Sequence, residues 1–359
     1  MTRVHNYNAG PAALPLDALR AAQNELLDFA GSGMSVTEVS HRSKEYEGVH
    51  NEAIALVREL LALPANYHVL LLQGGASLQF AMAPMNLLGG DKSADYVITG
   101  TWSQKALKEA KLVGKCRVAA SAEEGNFTSI PREFDFDPAA QYVHITSNNT
   151  IKGTQYFAFP NTGGVPLVAD MSSDIMWRPF DVAPFGLIYA GAQKNLGPAG
   201  LTLVILRDDV LQKCNPNLPT MLKYGTHVKE NSLYNTPPCF AIYLMRNVLR
   251  WVKAQGGLPG MEKQNREKGR LIYGFIDGSG GFYRNNLNPP DRSVMNVVFR
   301  LPSEELDGKF VAEAKAAGFI GLKGHRSVGG CRISMYNATS VDSINDLIAF
   351  MKTFQAKNG

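Results

Sequence analysis

Seven short, largely apolar runs constrain this chain more than any other feature: 69–72, 96–99, 116–120, 142–146, 166–169, 187–190 and 201–206. Continuous rather than alternating apolar character marks strands buried on both faces. Stretches with helical spacing follow the first two runs, to about Met85 and from about Trp102 to Leu112. Strands alternating with helices imply an α/β fold with a mostly parallel seven-stranded sheet flanked by helices. Some links, such as Gly163-Gly164 to Asp170, are too short to assign every crossover. Further helices are expected over 16–29, 44–61 and 240–252, and residues 1–15 read as irregular, broken by Asn6, Asn8, Gly10, Pro11 and Pro15.

Beyond Gly256-Gly257-Leu258-Pro259-Gly260 the pattern changes. A charged helix comes first, then a strand at 294–300, a helix at 304–317 and a strand near 331–335. The last helix, 341–354, carries one apolar stripe through Val341, Ile344, Leu347, Ile348 and Met351. These elements suit a smaller α+β C-terminal domain, and 359 residues fit about two domains. We assign 16–257 to the large domain and 1–15 with 258–359 to the small one.

The charge balance, 36 basic against 32 acidic residues, suits anionic small molecules and lacks a basic block dense enough for nucleic acid. Cys116, Cys214, Cys239 and Cys331 are scattered, without CxxC or zinc spacing. No metal site is expected, and the thiols read as reduced in a cytoplasmic protein. Nothing approaches the ~20 apolar residues of a membrane span, and 1–15 has no apolar signal core.

Chemistry concentrates at strand ends. Asp170 ends one apolar run, while Lys194 follows another on a turn of small residues running to Gly197-Pro198-Ala199-Gly200. Ligands in open α/β sheets collect outside strand ends. A lysine and a carboxylate there suit pyridoxal phosphate: the amine forms a Schiff base, and the carboxylate keeps the pyridine nitrogen protonated. Gly74-Gly75-Ala76-Ser77 joins a strand to a helix, where free N–H groups favour phosphate, although many such turns are merely tight. Trp102 could stack on a flat ring or pack a sheet edge, and Thr150 could bond a ring hydroxyl or serve its own turn. His41-Arg42, His325-Arg326 and Arg332 suit carboxylate or phosphate, yet each alone also fits solvated surface charge. The polar loop 6–12 around Ala9 could line the cleft.

The segments NAGPAALP, SVTEVSHRSKEY, LLLQGGASLQF, TWSQKA, SNNTIKGTQ, VADMSSDIMWRP, IYAGAQKNLGPAGLT, YNTPPCF and LKGHRSVGGCRISMYNA run nearly end to end. In these the chain resembles the phosphoserine aminotransferases, class V aminotransferases of the fold-type-I pyridoxal phosphate group. The resemblance implies Lys194 as the cofactor-bonding lysine and Asp170 as the pyridinium partner. It places Trp102 on the ring and Thr150 beside its hydroxyl. Ala76, Ser77 and Gln193 would hold the cofactor phosphate, with Asn235 and Thr236 reaching across from the other subunit of a homodimer. Ala9, His41, Arg42, His325 and Arg326 would surround substrate, its phosphate or distal carboxylate lying among the basic four, and Arg332 would grip the α-carboxylate. Many members carry arginine where this chain has Ser77, so a cationic contact is absent here.

The implied reaction passes an amino group from L-glutamate to 3-phosphohydroxypyruvate, giving O-phospho-L-serine and 2-oxoglutarate, a step of serine biosynthesis. The four-carbon analogue of pyridoxine biosynthesis is a further implied substrate. Alternatives are an alanine–glyoxylate aminotransferase, a cysteine desulfurase or a non-catalytic pyridoxal phosphate-binding regulator. A desulfurase needs a reactive cysteine on a mobile loop, whereas Cys331 sits in a strand pattern beside Arg332. No DNA-binding module is appended.

Overall fold

A computed structural model describes residues 3–359. Met1 and Thr2, the first residues of the segment assigned to the small domain, lie outside the described residues. The chain begins with β1 (His5–Asn6), α1 (Leu16–Glu25), α2 (Lys44–Leu60), β2 (Tyr67–Leu72), α3 (Gly75–Leu87), β3 (Ser93–Ile98) and α4 (Thr101–Ala110). Then come β4 (Lys115–Ser121), β5 (Val143–Thr146), β6 (Leu167–Asp170), β7 (Phe185–Gly191), β8 (Thr202–Arg207), α5 (Asp208–Leu211), α6 (Tyr224–Lys229) and α7 (Cys239–Ala254). The remainder is α8 (Gly257–Asp277), β9 (Asn296–Phe299), α9 (Glu304–Ala316), β10 (Phe319–Ile320), β11 (Cys331–Ser334) and α10 (Val341–Asn358).

All seven apolar runs enter one sheet, ordered β2-β8-β7-β6-β5-β3-β4. β8 is antiparallel to both β2 and β7, and every other pairing is parallel. Both faces are covered along six of the strands, which explains their continuous apolar character, whereas the edge strand β4 is largely exposed, Val118 included. Ile188 and Ala190 of β7 enter a core with α2 and α7, while Leu187 and Tyr189 enter another with α3 and α4. A third core joins Tyr7, Tyr283, Phe299, Phe310 and Phe354 in the C-terminal part, where β9 pairs antiparallel with β11.

Two local expectations need correction. Residues 1–15 are not wholly irregular: β1 pairs with β10, and Tyr7, fully buried, donates its hydroxyl hydrogen to the Ser343 carbonyl at 2.6 Å. Backbone pairing here replaces the apolar pattern that would have marked a strand. Helix α1 stops at Glu25 rather than 29, followed by exposed Leu26 and Leu27 and by positive φ at Ala30, Gly31 and Gly33. Gly256 to Gly260 spans a tight turn and the start of α8. Gly256, at φ 88°, turns the chain directly from α7 into α8. Leu258 and Met261 of α8 join the core around α7, whereas Ile272 and Ile276 join the C-terminal core. Among the described residues no helix is long and apolar enough to cross a membrane.

Candidate active site

Because β2, β3, β5, β6 and β7 run the same way, their C-terminal ends gather on one edge of the sheet. A cavity of about 300 Å³ opens there, closed from above by the N-terminal arm and the β11 region. This is the place where α/β sheets bind ligands.

Asp170 ends β6 inside the cavity. Its Oδ1 accepts the Ser172 N–H at 2.9 Å and the Ser172 hydroxyl at 2.6 Å, and Ser172 Oγ accepts the Gly191 N–H at 3.0 Å. Ser172 therefore ties the end of β6 to the end of β7, while Oδ2 of Asp170 has no protein donor among the described residues. Burial pushes this carboxyl up, opposed by the charge of Lys194 and then by Ser172.

Lys194 stands three residues past β7, in a turn where the Leu196 and Gly197 N–H groups donate to the Ala192 carbonyl. Its ammonium is pushed down to about 8, chiefly by burial and also by Arg332, with Asp170 pulling it back up. The arm holding Ala9 and Gly10 crosses close above. At Gly10, with φ 144°, a Cβ would stand 3.5 Å from the Cγ atoms of both Gln193 and Lys194. The Ala12 N–H donates to the Gln193 carbonyl at 2.9 Å.

Trp102, in the first turn of α4, has its ring centroid 5.8 Å from Lys194 Nζ and donates from Nε1 to Thr150 Oγ1 at 2.9 Å. The Thr150 carbonyl accepts Arg332 Nη1 at 3.0 Å, so this arginine of β11 reaches over the sheet edge. Burial lowers the Arg332 pKa, and its Nε is buried without a protein acceptor. An unpaired donor of that kind suits an anionic guest.

Helix α3 opens at Gly74 and Gly75, with φ 89° and 65°, and has no side-chain cap. The N–H groups of Gly75, Ala76 and Ser77 are left free beside the cavity, at the positive end of a 13-residue helix.

Ala9, Ala76, Ser77, Trp102, Thr150, Asp170, Gln193, Lys194, His325 and Arg332 thus meet around one space. His41, Arg42, Arg326, Asn235 and Thr236 do not line it within one chain. His41 and Arg42 belong to the segment between α1 and α2, and Arg326 is exposed on the turn after His325. Asn235 lines a neighbouring groove with Gly74, Leu78 and Met221, and Gln73 Nε2 donates to the Thr236 carbonyl at 3.3 Å.

Sequence reasoning missed the support beneath Asp170. Asp174 is buried; its Oδ1 accepts the Ser147 hydroxyl and its Oδ2 accepts Gln155 Nε2 at 3.1 Å. Burial pushes it up to about 6. Gln155 Oε1 accepts the Val294 N–H at 3.0 Å, and Asn148 Nδ2 donates to Asn296 Oδ1 at 2.8 Å, linking the sheet to the β9–β11 layer. The signal was the polar run Ser172-Ser173-Asp174 directly behind a strand end.

A free strand-end lysine, a facing carboxylate, an aromatic plate and an uncapped helix end define a site for a flat, anionic cofactor. The aminotransferase class-V family model matches residues 4–347. The phosphoserine aminotransferase of Geobacillus kaustophilus is 58% identical and that of Lysinibacillus sphaericus 57%, each alignment covering 99% of both chains. The solved phosphoserine aminotransferase of Bacillus circulans subsp. alkalophilus superposes with a TM-score of 0.98 at 55% identity, covering 99% of each chain. A PLP-bound phosphoserine aminotransferase from Trichomonas vaginalis gives 0.93 at 38%, covering 98% of this chain and 100% of that one. The chain belongs to the class-V aminotransferases and, within them, to the phosphoserine aminotransferases.

Proposed function

We propose that this protein transfers the amino group of L-glutamate to 3-phosphohydroxypyruvate, forming O-phospho-L-serine and 2-oxoglutarate, with pyridoxal 5'-phosphate as cofactor. One observation carries the reading: Lys194, Asp170, Trp102 and the free α3 N–H groups surround a single cavity, in a chain 55–58% identical to phosphoserine aminotransferases.

When bound, the cofactor supplies an electron sink for the pair released at the substrate's Cα. The residues present fit it. The free Asp170 Oδ2 would hold the ring-nitrogen proton, Trp102 would cover the ring, and Thr150 would stand at its hydroxyl. The N–H groups of Ala76 and Ser77, with Gln193, would hold its phosphate. Lys194 Nζ, close to neutrality at about 8, would move the Cα proton. Arg332, with its orphaned Nε, would bind the α-carboxylate and so fix which Cα bond breaks. The two Ser172 donors hold Asp170 Oδ1 in place, and the Ala9–Gly10 arm would limit water above Lys194.

The distal phosphate would be held by His325 and Arg326 together with His41 and Arg42. A homodimer is part of the proposal, with Asn235 and Thr236 completing the partner's phosphate site. Exposed Leu78 and Met221 beside Asn235 give that face the apolar character of an interface. The division into 16–257 and 1–15 with 258–359, and a cytoplasmic setting for the four unpaired cysteines, complete the reading.

Initial rates with glutamate and a panel of 2-oxo acids test it. Two extra charge-assisted hydrogen bonds, at about 1.5–3 kcal/mol each, correspond to a preference of about 100-fold or more for 3-phosphohydroxypyruvate over hydroxypyruvate. Equal use of glyoxylate or hydroxypyruvate would overturn the assignment.

A further inference from the structure

A second cavity of about 340 Å³ adjoins the cofactor cleft and shares Ile151, His325 and Arg332 with it. Three cations with no part in the reaction above line it: Lys152, Arg284 and Arg300. No aspartate or glutamate does. Each cation is held by neutral groups. Lys152 Nζ donates to Asn126 Oδ1 at 2.7 Å, Arg284 Nη2 to the Leu301 carbonyl at 2.8 Å, and Arg300 Nη2 to the Val328 carbonyl.

Among the described residues none of the three has a carboxylate within 4.0 Å. Other arginines of the region are paired: Arg292 with Asp277 at 2.7 Å, and Arg132 with Asp291. The acid whose charge reaches Arg300 and Arg284 is Asp307 of α9, but it accepts the Leu301 N–H at 2.8 Å and does not line the cavity. Burial lowers the Lys152 pKa, a penalty that a bound anion would offset. Three positive side chains line a recess that also includes Arg332, the arginine assigned to the α-carboxylate.

We propose that this cavity is an entry subsite for small polyanions, which holds the incoming phosphorylated 2-oxo acid or dicarboxylate and delivers it past His325 to Arg332. The proposal rests on the reading of the main site given above. Clefts lined by one sign of charge raise association rates by about 10–1,000-fold in a salt-dependent way. The donors free on Lys152 and on both guanidinium groups give the anion direct partners, with Asn285 and Asn126 on the rim.

The test uses the cofactor-loaded enzyme carrying Lys152→Gln, Arg284→Gln and Arg300→Gln, and a charge-keeping control with Lys152→Arg, Arg284→Lys and Arg300→Lys. With 3-phosphohydroxypyruvate at low ionic strength, the glutamine variant should lose about 10-fold in kcat/KM, keep kcat within about twofold, and show a flattened salt dependence. The control should retain wild-type behaviour. Lys152→Gln alone, which gives up only a side-chain contact to Asn126, should lose about threefold and secures the result should the triple variant fold poorly.

Calorimetric titration with inorganic phosphate should find one more binding site per chain in the wild type than in the glutamine variant, and titration with succinate distinguishes phosphate from carboxylate preference. Unchanged kcat/KM and salt slope, an equal number of phosphate sites, or parallel losses in both triple variants would overturn the proposal. Phosphate binding is read without turnover. A wild type that keeps the extra site but fails to use 3-phosphohydroxypyruvate would sink the functional reading and leave the subsite standing.

Discussion

Asp170→Asn should separate catalysis from folding. Asparagine can keep the two Ser172 donors on Oδ1, at the 2.9 and 2.6 Å positions. What changes is the free oxygen, which becomes an NH₂ group that donates where the carboxylate accepts. A ring nitrogen facing a donor stays unprotonated, and the electron sink weakens. Removing one preorganised group that stabilises developing charge typically costs about 100- to 1,000-fold in kcat, or roughly 2.7–4 kcal/mol. Folding should not suffer, because burial already disfavours this charge; the cofactor-free variant should melt at or slightly above the wild-type temperature. Losing the carboxylate also removes the interaction that raises the Lys194 pKa, so that amine should titrate below about 8. Single-turnover absorbance changes with L-glutamate give the catalytic term, and calorimetry of the cofactor-free proteins gives the other. A variant within threefold of the wild-type rate, or one that melts well below it, would refute the reasoning.

Arg42→Ala and His325→Ala should cut efficiency with O-phosphoserine steeply while barely changing alanine, whereas Arg332→Ala should harm every amino acid alike; identical profiles for Arg42→Ala and Arg332→Ala would erase the division between the two ends of the substrate. Mixed dimers pairing a Lys194→Ala chain with an Asn235→Ala, Thr236→Ala chain should recover one working site, and no recovery would mean that each chain supplies its own phosphate contacts. In cofactor-free protein, competitive labelling of Lys194 with a small aldehyde should rise through about pH 8 rather than the ordinary lysine range. Between those two values the unfolded chain holds a proton that the folded chain has lost. This group's contribution to stability therefore improves as pH rises across that window and is a penalty below it. Arg332→Gln should move the labelling midpoint upward, since Arg332 lowers it.

The sheet was legible because six of its strands are buried on both faces and leave continuous apolar runs, while the exposed edge strand β4 was readable only from its short Val118-Ala119-Ala120 stretch. Strand direction was not. Nothing in Thr202–Arg207 announces that β8 runs against β2 and β7, because an apolar run reads the same either way. β1 and β10 have two residues each, too few for any periodicity, and exist because backbone groups on the two segments pair. The meeting of Lys194 and Asp170 at one strand-end cavity could be read from small residues and strand ends. Of their supports, the Ser172-Ser173-Asp174 run behind the strand end gave a signal, but Ser147 and Gln155 acquire meaning only when their segments converge on Asp170 and Asp174. His41 and Arg42 were readable as basic groups and Asn235 and Thr236 only through the family resemblance, and one chain does not bring these four to its own cavity.

In the proposed function the cofactor is bonded through Lys194, in the cavity that Asp170 and Arg332 also line. Borohydride reduction of the pyridoxal phosphate-loaded protein, followed by peptide mapping, tests it most directly. A single pyridoxyl-modified peptide, with the added mass on Lys194, is the expected result. Modification of Lys152, Lys268 or any other lysine in its place would contradict it.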